Sequence, residues 1–274
     1  MSFVEHPTRI VPDVVPGQTG RIFLVGAGPG AADLLTLRAI RCLQKADVVY
    51  YDRLVDPETL GFVRLGAERV FVGKEVGAHS WPQDRIDATI VAAALQGKQV
   101  VRLKSGDPSI FGRACEEIIA ARAHGIEVEI IPGVTAASAA AASLCQPLTE
   151  RGVTDRVVLA TATCRPGELV SDLEDMARPG TTLVFYMAMQ QLETLAEKLT
   201  GIGLSSTHPV TIVTQVSRPS ERHLRTTVAG MAADCAAAKV ANPAVILLSL
   251  PKASGCAEPM LGSAERLRLS QPVG

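Results

Sequence analysis

An excess of charge of one sign is missing from this chain. It carries 27 Lys and Arg against 28 Asp and Glu, a formal net charge of −1. Bulk electrostatics therefore gives no reason to expect a nucleic-acid partner. There is no basic arm and no block of like charges. No apolar run approaches the roughly 18 residues needed to cross a bilayer. The first residues lack a charged segment leading into an apolar one, so no secretory signal and a cytoplasmic location are expected. The cysteines Cys42, Cys115, Cys145, Cys164, Cys235 and Cys256 stand apart, with none at CxxC spacing. Reduced thiols are the expectation. The histidines His6, His79, His124, His208 and His223 are equally scattered, so no metal site is expected.

What is present is strand-helix alternation. With 274 residues, 47% of them hydrophobic, the chain can bury two modest cores or one large one. Strands are expected at 22–25, 47–50, 69–72, 99–103 and 128–131. Helices are expected at 33–45, 83–95, 114–123 and 136–144, the first capped by Asp33. The strands are nearly continuous apolar runs, the pattern of a parallel sheet covered on both faces. Further strands are expected at 156–161, 181–187, 210–213, 223–227 and 244–250, with helices at 169–177, 191–199 and 228–238. Residues 215–222 are too few for a helical crossover, so the last-but-one pairing should be antiparallel and the second sheet mixed. The expected fold is two α/β domains, parallel then mixed, with a ligand cleft between them. Residues 21–135 would form the first domain and 136–252 the second, flanked by an arm (1–20) and a tail (253–274).

The most informative segment is RLKSGDPSIFGR, Arg102 to Arg113. It starts as a strand and breaks at Ser105-Gly106-Asp107-Pro108. A strand end built this way leaves backbone N–H and C=O groups open to a small polar ligand. VGAGPG, Val25 to Gly30, is a second such loop. Its glycines alternate instead of following the G-x-G-x-x-G spacing, and Pro29 removes an N–H where a pyrophosphate would sit. A dinucleotide site is therefore disfavoured, and a plain tight turn is the bland alternative. Asp52 and Lys74 follow neighbouring strands on the same edge; a turn cap and a surface lysine are their ordinary roles. Arg113 and Glu116 open a helix, where a glutamate is favoured by the helix dipole alone. Met187 and Met189 are either core or a soft wall for an adenine or a sulfonium.

Read together, VGAGPGAADLLTLRA, YYDRLV (50–55), VGKEVGAHSWPQ (72–83), RLKSGDPSIFGR, IPGVTAAS (131–138), LVFYMAM (183–189) and NPAVILL (242–248) resemble the tetrapyrrole methyltransferase family. Within it, the GKxxGxHSxPQ pattern is similar to the uroporphyrinogen-III C-methyltransferase branch. The resemblance implies a homodimer that binds S-adenosyl-L-methionine in the cleft and leaves S-adenosyl-L-homocysteine. It implies methylation of uroporphyrinogen III at two ring carbons, C2 and C7, giving precorrin-2 for sirohaem or cobalamin synthesis. By motif, Pro29, Ser105, Gly106, Asp107, Ile110, Thr135, Ala136, Met187, Val216 and Ala244 would contact the cofactor. Asp52, Lys74, Arg113 and Glu116 would face the tetrapyrrole as the catalytic set. Lys104, Arg151 and Arg156 are further candidates to pair with its carboxylates. The alanine-rich stretch 136–144 is expected to need a close partner, which fits a dimer. Ser105 stands where the family usually has glycine, Ser109 where an aromatic is common, and Glu150 and Thr163 where histidines are usual. Those two are expected to reshape substrate contact. Alternative functions are methylation of a later precorrin, NAD(P)-dependent oxidoreduction, and a non-catalytic sensor of S-adenosylmethionine or a tetrapyrrole.

Overall fold

The computed structural model describes residues 19–73, 81–162 and 172–252. The first sheet contains β1 (Arg21–Gly26), β2 (Val48–Tyr51), β3 (Glu68–Phe71), β4 (Gln99–Lys104) and β5 (Glu127–Ile131). Its order is β3-β2-β4-β1-β5 and every pair is parallel. Alternate side chains on each strand feed opposite faces. Ile22, Leu24, Val48, Tyr50 and Val100 pack under α2 (Gln83–Leu95) and α3 (Ala114–Arg122). Val25, Val49, Val101 and Leu103 pack with Ala39 and Leu43 of α1 (Leu37–Leu43) on the other. This double coverage is why the strands read as unbroken apolar runs.

The second sheet contains β6 (Arg156–Thr161), β7 (Thr181–Tyr186), β8 (Pro209–Thr214), β9 (Arg222–Thr227) and β10 (Ala244–Leu250), in the order β6-β7-β10-β8-β9. Only β6 and β7 are parallel; the short β8–β9 connection gives the antiparallel pair that its length predicts. One face is covered by α5 (Leu173–Met176), α6 (Leu192–Gly201) and α7 (Met231–Ala237), through Leu173, Leu192, Leu195, Leu199, Met231 and Cys235. The other face is covered by α4 (Ala136–Ser143). Ala137 and Ala140 lie fully buried against Val184, Val213, Val216 and Val245. The small side chains let the helix backbone lie close to the sheet. The alanines thus find their partner within the same chain, and they give no separate argument for a dimer.

Local corrections have local causes. The expected helix at 33–45 is a 3-10 turn (Ala32–Leu34) followed by α1, because the Thr36 hydroxyl, not Asp33, accepts from the N–H of Ala39. Leu37, the first residue of α1, is 73% exposed. A 3-10 helix at Pro57–Phe62 was not expected, although Asp56 capping Glu58 with proline at the first position is a readable start signal. The helix expected at 228–238 begins at Met231, since Gly230 first closes a turn onto Thr227. Part of the helix expected at 169–177 lies outside the described residues. Among the described residues no helix is long and apolar enough to cross a membrane, and no side-chain group fit to hold a metal occurs.

Candidate active site

In the first sheet the chain leaves β1 for β2 on one side, and leaves β4 for β5 on the other. The first connection passes over one face of the sheet with α1 and the second over the other face with α3, so the adjacent ends of β1 and β4 form a topological switch point, the place where open α/β sheets bind ligands. Gly28 and Gly106 join these two loops through reciprocal bonds, N–H of Gly28 to O of Gly106 at 3.2 Å and N–H of Gly106 to O of Gly28 at 2.7 Å. The loop after β5 crosses at the same point. A methyl group on Gly133 would stand 2.3 Å from the Gly106 oxygen and 2.9 Å from the Gly26 Cα. Three loops converge where no side chain fits between them. Gly106 itself has φ +72° and nothing within 4 Å on its Cβ side, so that face of the loop is open.

The first turn is not a phosphate cradle. The N–H of Ala27 donates to Lys104 O, that of Gly28 to Gly106 O, and that of Ala31 to the Ser217 hydroxyl. Pro29 has none to offer. Three of the N–H donors around this turn are thus engaged inside the chain, which leaves few for a pyrophosphate.

The second sheet presents its own edge to these loops. Met187 follows β7, Val216 follows β8, and Ala244 opens antiparallel β10 in register with Thr214 at the end of β8. The Tyr186 hydroxyl bonds the Thr135 hydroxyl at 2.6 Å and accepts from the N–H of Ala137 at 3.0 Å, and its ring tilts against Phe111 at 5.2 Å. Arg218 donates to Leu54 O at 2.6 Å, and Gly30 lies under Val216 and Ser217. Asp107 is committed within the loops: its carboxylate accepts from the N–H and hydroxyl of Ser109 and from the N–H of Gly133. Phe111, Arg113, Met187, Gln215 and Ser217 all take left-handed φ, between 52° and 59°. Each such residue costs on the order of 1–3 kcal/mol, and such strain gathers where a site is shaped.

Of the ten residues assigned to the cofactor by resemblance, Pro29, Ser105, Gly106, Asp107, Thr135, Met187, Val216 and Ala244 thus lie on these loops and strand ends, Ile110 continues the loop after β4, and Ala136 opens α4 against the second sheet. Asp52 ends β2 on the same edge. Its Oδ1 accepts from the N–H of Leu54, and its Oδ2 lies 3.6 Å from Arg102. Arg113 and Glu116 form a two-pronged pair, at 2.9 and 2.5 Å, in a groove of about 600 Å³ between α2 and α3 that Gln83, Asp84 and Asp87 also line. The Arg113 hydrogen bond holds the Glu116 carboxyl below its usual range. Burial pushes the Asp87 carboxyl up. Lys74 and Thr163 lie outside the described residues.

Three of the candidate carboxylate binders are displaced from the cleft. Lys104 is buried, with its ammonium 2.8 Å from both oxygens of Glu117; burial and then the charge of Arg102 lower its pKa. Arg156 opens β6 and donates to Pro179 O at the opposite edge of the sheet. Arg151 and Glu150 lie in the Glu150–Thr154 turn at that far edge, where Val153 accepts from Lys252. Glu150 therefore stands at the far edge, away from Met187, Val216 and the loops after β1 and β4. The site residues that spacing missed are Tyr186, Ser217, Arg218, Arg102 and Glu117. Of these, Arg102 carried a signal: a charge inside a wholly buried strand.

The family model described as Tetrapyrrole (Corrin/Porphyrin) Methylases matches residues 21–232. The chain belongs to this family. It is 44% identical over 230 residues to a siroheme synthase of Pseudomonas aeruginosa (strain LESB58), covering 84% of this chain and 50% of that protein. A siroheme synthase of Gluconacetobacter diazotrophicus is also 44% identical over 230 residues, with 84% and 49% covered. The chain spans about half the length of these curated relatives. Among solved structures it is similar to uroporphyrin-III C-methyltransferase of Thermus thermophilus in complex with S-adenyl homocysteine, at TM-score 0.71 and 35% identity, covering 84% of this chain and 92% of that one. A cobalt precorrin-4 methyltransferase overlays with TM-score 0.74 and 30% identity, covering 84% and 94%. The tetrapyrrole methylase fold, two α/β units with parallel and mixed sheets, is the one described above.

Proposed function

We propose that this chain transfers methyl groups from S-adenosyl-L-methionine to two ring carbons, C2 and C7, of uroporphyrinogen III, giving precorrin-2. The observation that carries the reading is the shared edge: glycine loops that meet with no room for a side chain between them, facing Met187, Val216 and Ala244 of the second sheet, with Asp52 on the same rim. The residues present fit the cofactor. It has no phosphate, and Ala136, Val216 and Ala244 offer small apolar contacts while Gly106 leaves an open loop face. When bound, S-adenosylmethionine supplies an electrophilic methyl group on a sulfonium sulfur. Met187, 49% exposed at the rim, is a soft neighbour for it.

The remaining work falls to the chain. Loops 105–110 and 133–136 hold the cofactor, with Asp107 bracing one against the other. Tyr186 and Phe111 pin these loops to the second sheet and exclude water from the reacting carbon. Alkylating a ring carbon requires that a proton leave the substrate, and Asp52 or Glu116 is the carboxylate set to take it. Lys74 and Arg113 serve the substrate's carboxylates, Arg113 through the Nη donors that Glu116 leaves open. We propose that the first α/β domain spans residues 21–135 and the second residues 136–252, with the cofactor held between them. A homodimer is proposed from the resemblance alone, as are a cytoplasmic location and the absence of a nucleic-acid partner from the composition. Methylation of a later precorrin is the second reading, favoured by the overlay on cobalt precorrin-4 methyltransferase. Incubation with each tetrapyrrole and labelled S-adenosylmethionine separates the two: the first reading expects uroporphyrinogen III to be labelled, the second only the later substrate.

A further inference from the structure

Strand β4 carries two cations into the interior. Arg102 and Lys104, two residues apart, share one face of the sheet and are each 5% exposed. Burying two cations in an apolar layer is unfavourable unless they are paired. The partner is Glu117 of α3, 1% exposed. Its Oε1 accepts from Lys104 Nζ at 2.8 Å and from Arg102 Nε at 3.2 Å, and its Oε2 accepts from Lys104 at 2.8 Å. Two cations and one anion leave a single positive charge in surplus. The other arms of Arg102 decide where it goes. Nη1 donates to Leu103 O at 3.0 Å and to Tyr50 O at 3.4 Å, and Nη2 faces Asp52 Oδ2 at 3.6 Å. The surplus is delivered to the rim, at the carboxylate that ends β2.

Holding α3 on the sheet does not require this cluster. Ala114, Ala121 and Ile118 already pack α3 into the core shared with α2. Apolar residues of similar volume in place of a buried ion pair are commonly no less stable. What charge supplies and apolar side chains do not is orientation of the guanidinium. We infer that Glu117 is a positioning residue. Its carboxylate fixes Arg102 Nε, so that the adjoining Nη2 of the guanidinium stays on Asp52 at the substrate side of the cleft. The inference rests on the proposed placement of Asp52 toward the tetrapyrrole.

Two double variants of equal net charge test it: K104M/E117Q and K104M/E117M. Both remove the Lys104 cation and the Glu117 anion, leaving Arg102 as the single charge. Only the glutamine keeps an acceptor for Arg102 Nε. The expected result is a kcat for K104M/E117Q at least about tenfold above that of K104M/E117M, the size of one lost hydrogen bond to a charged group. The KM for the tetrapyrrole and the Kd for S-adenosylhomocysteine should stay alike in both. Equal kcat values would overturn the proposal, because charge balance alone would then explain Glu117. Failure of K104M/E117M to fold would also overturn it, by giving the cluster a structural role. Crystal structures of both variants add a readout independent of turnover: Arg102 should stay on Asp52 in the glutamine variant and leave it in the methionine variant. Arg102 unmoved in both refutes positioning. Wild-type protein that methylates no tetrapyrrole refutes the proposed function instead, and the two crystal structures still decide the role of Glu117.

Discussion

Replacing Gly133 by alanine tests the convergence of the three loops. The added methyl would stand 2.3 Å from the Gly106 oxygen, 2.9 Å from Gly26 Cα and 3.0 Å from Gly26 C. A carbon and a carbonyl oxygen rest at about 3.3 Å or more, so the loop after β4 must retreat by about 1 Å. All the colliding atoms are backbone, and the Gly106 oxygen is also the acceptor for Gly28. Overpacking costs about 1–3 kcal/mol and a strained bridge bond about 1 kcal/mol more, together about 2–4 kcal/mol. Part of this can be relieved by opening the loops in the free protein, and that part returns when the cofactor closes them. The expected outcome is a Tm lower by about 4–8 °C and a Kd for S-adenosylhomocysteine raised at least about tenfold. Scanning calorimetry and isothermal titration read the two effects. Gly201→Ala is the control: it ends α6 with nothing within 4 Å, and its Tm should hold or rise. If Gly133→Ala matched wild type in both Tm and Kd, the three-loop convergence would not shape the cofactor site.

Further outcomes are expected. Asp52→Asn and Arg113→Gln should lower kcat far more than they weaken S-adenosylhomocysteine binding; a Kd that rises as much as kcat falls would move these residues to the cofactor side. Tyr186→Phe keeps the ring on Phe111 but leaves Ala137 N–H without its acceptor, so it should weaken cofactor binding by about 1–2 kcal/mol, read by titration. Burial holds the half-buried His208 below its usual pKa, and its Nε2–H donates to Ser249 O at 2.9 Å. The unfolded chain then binds more protons below about pH 6.5, so stability is present above that pH and falls as pH drops beneath it. His208→Gln should flatten that part of the Tm–pH curve, and an unchanged slope would assign it to other groups. Light scattering should give twice the 28.9 kDa chain mass, and a monomer at micromolar concentration would remove the dimer.

Much of this arrangement was legible before the coordinates. Helix α2 and strands β6 and β10 fall at their expected bounds because their apolar periodicity is uninterrupted. Pro29 and the alternating glycines disfavour a dinucleotide turn at the level of sequence, and the N–H groups of Ala27, Gly28 and Ala31 are bonded within the chain. The start of α1 was misjudged because Asp33 and Thr36 are both good caps, and only the fold decides between them. Arg156 stands at the opposite edge of the second sheet, and its position in the sequence was informative. A residue that opens a strand parallel to β7 cannot share an edge with Tyr186, which closes β7. The contacts of Ser217 with Ala31 and of Arg218 with Leu54 span more than 160 residues of sequence. No local pattern encodes the docking of one sheet on the other. The destination of Lys104 was hidden for the same reason, since its partner Glu117 lies on a helix whose sequence reads as an ordinary acidic first turn.

The central claim is tested most directly by counting methyl groups. Purified protein is incubated anaerobically with uroporphyrinogen III and methyl-labelled S-adenosylmethionine, and the product is weighed by mass spectrometry. The account predicts a tetrapyrrole carrying two labelled methyls on ring carbons, with S-adenosylhomocysteine formed in step. An unlabelled uroporphyrinogen III, together with tight NADH binding or with ready methylation of a later precorrin, would contradict it.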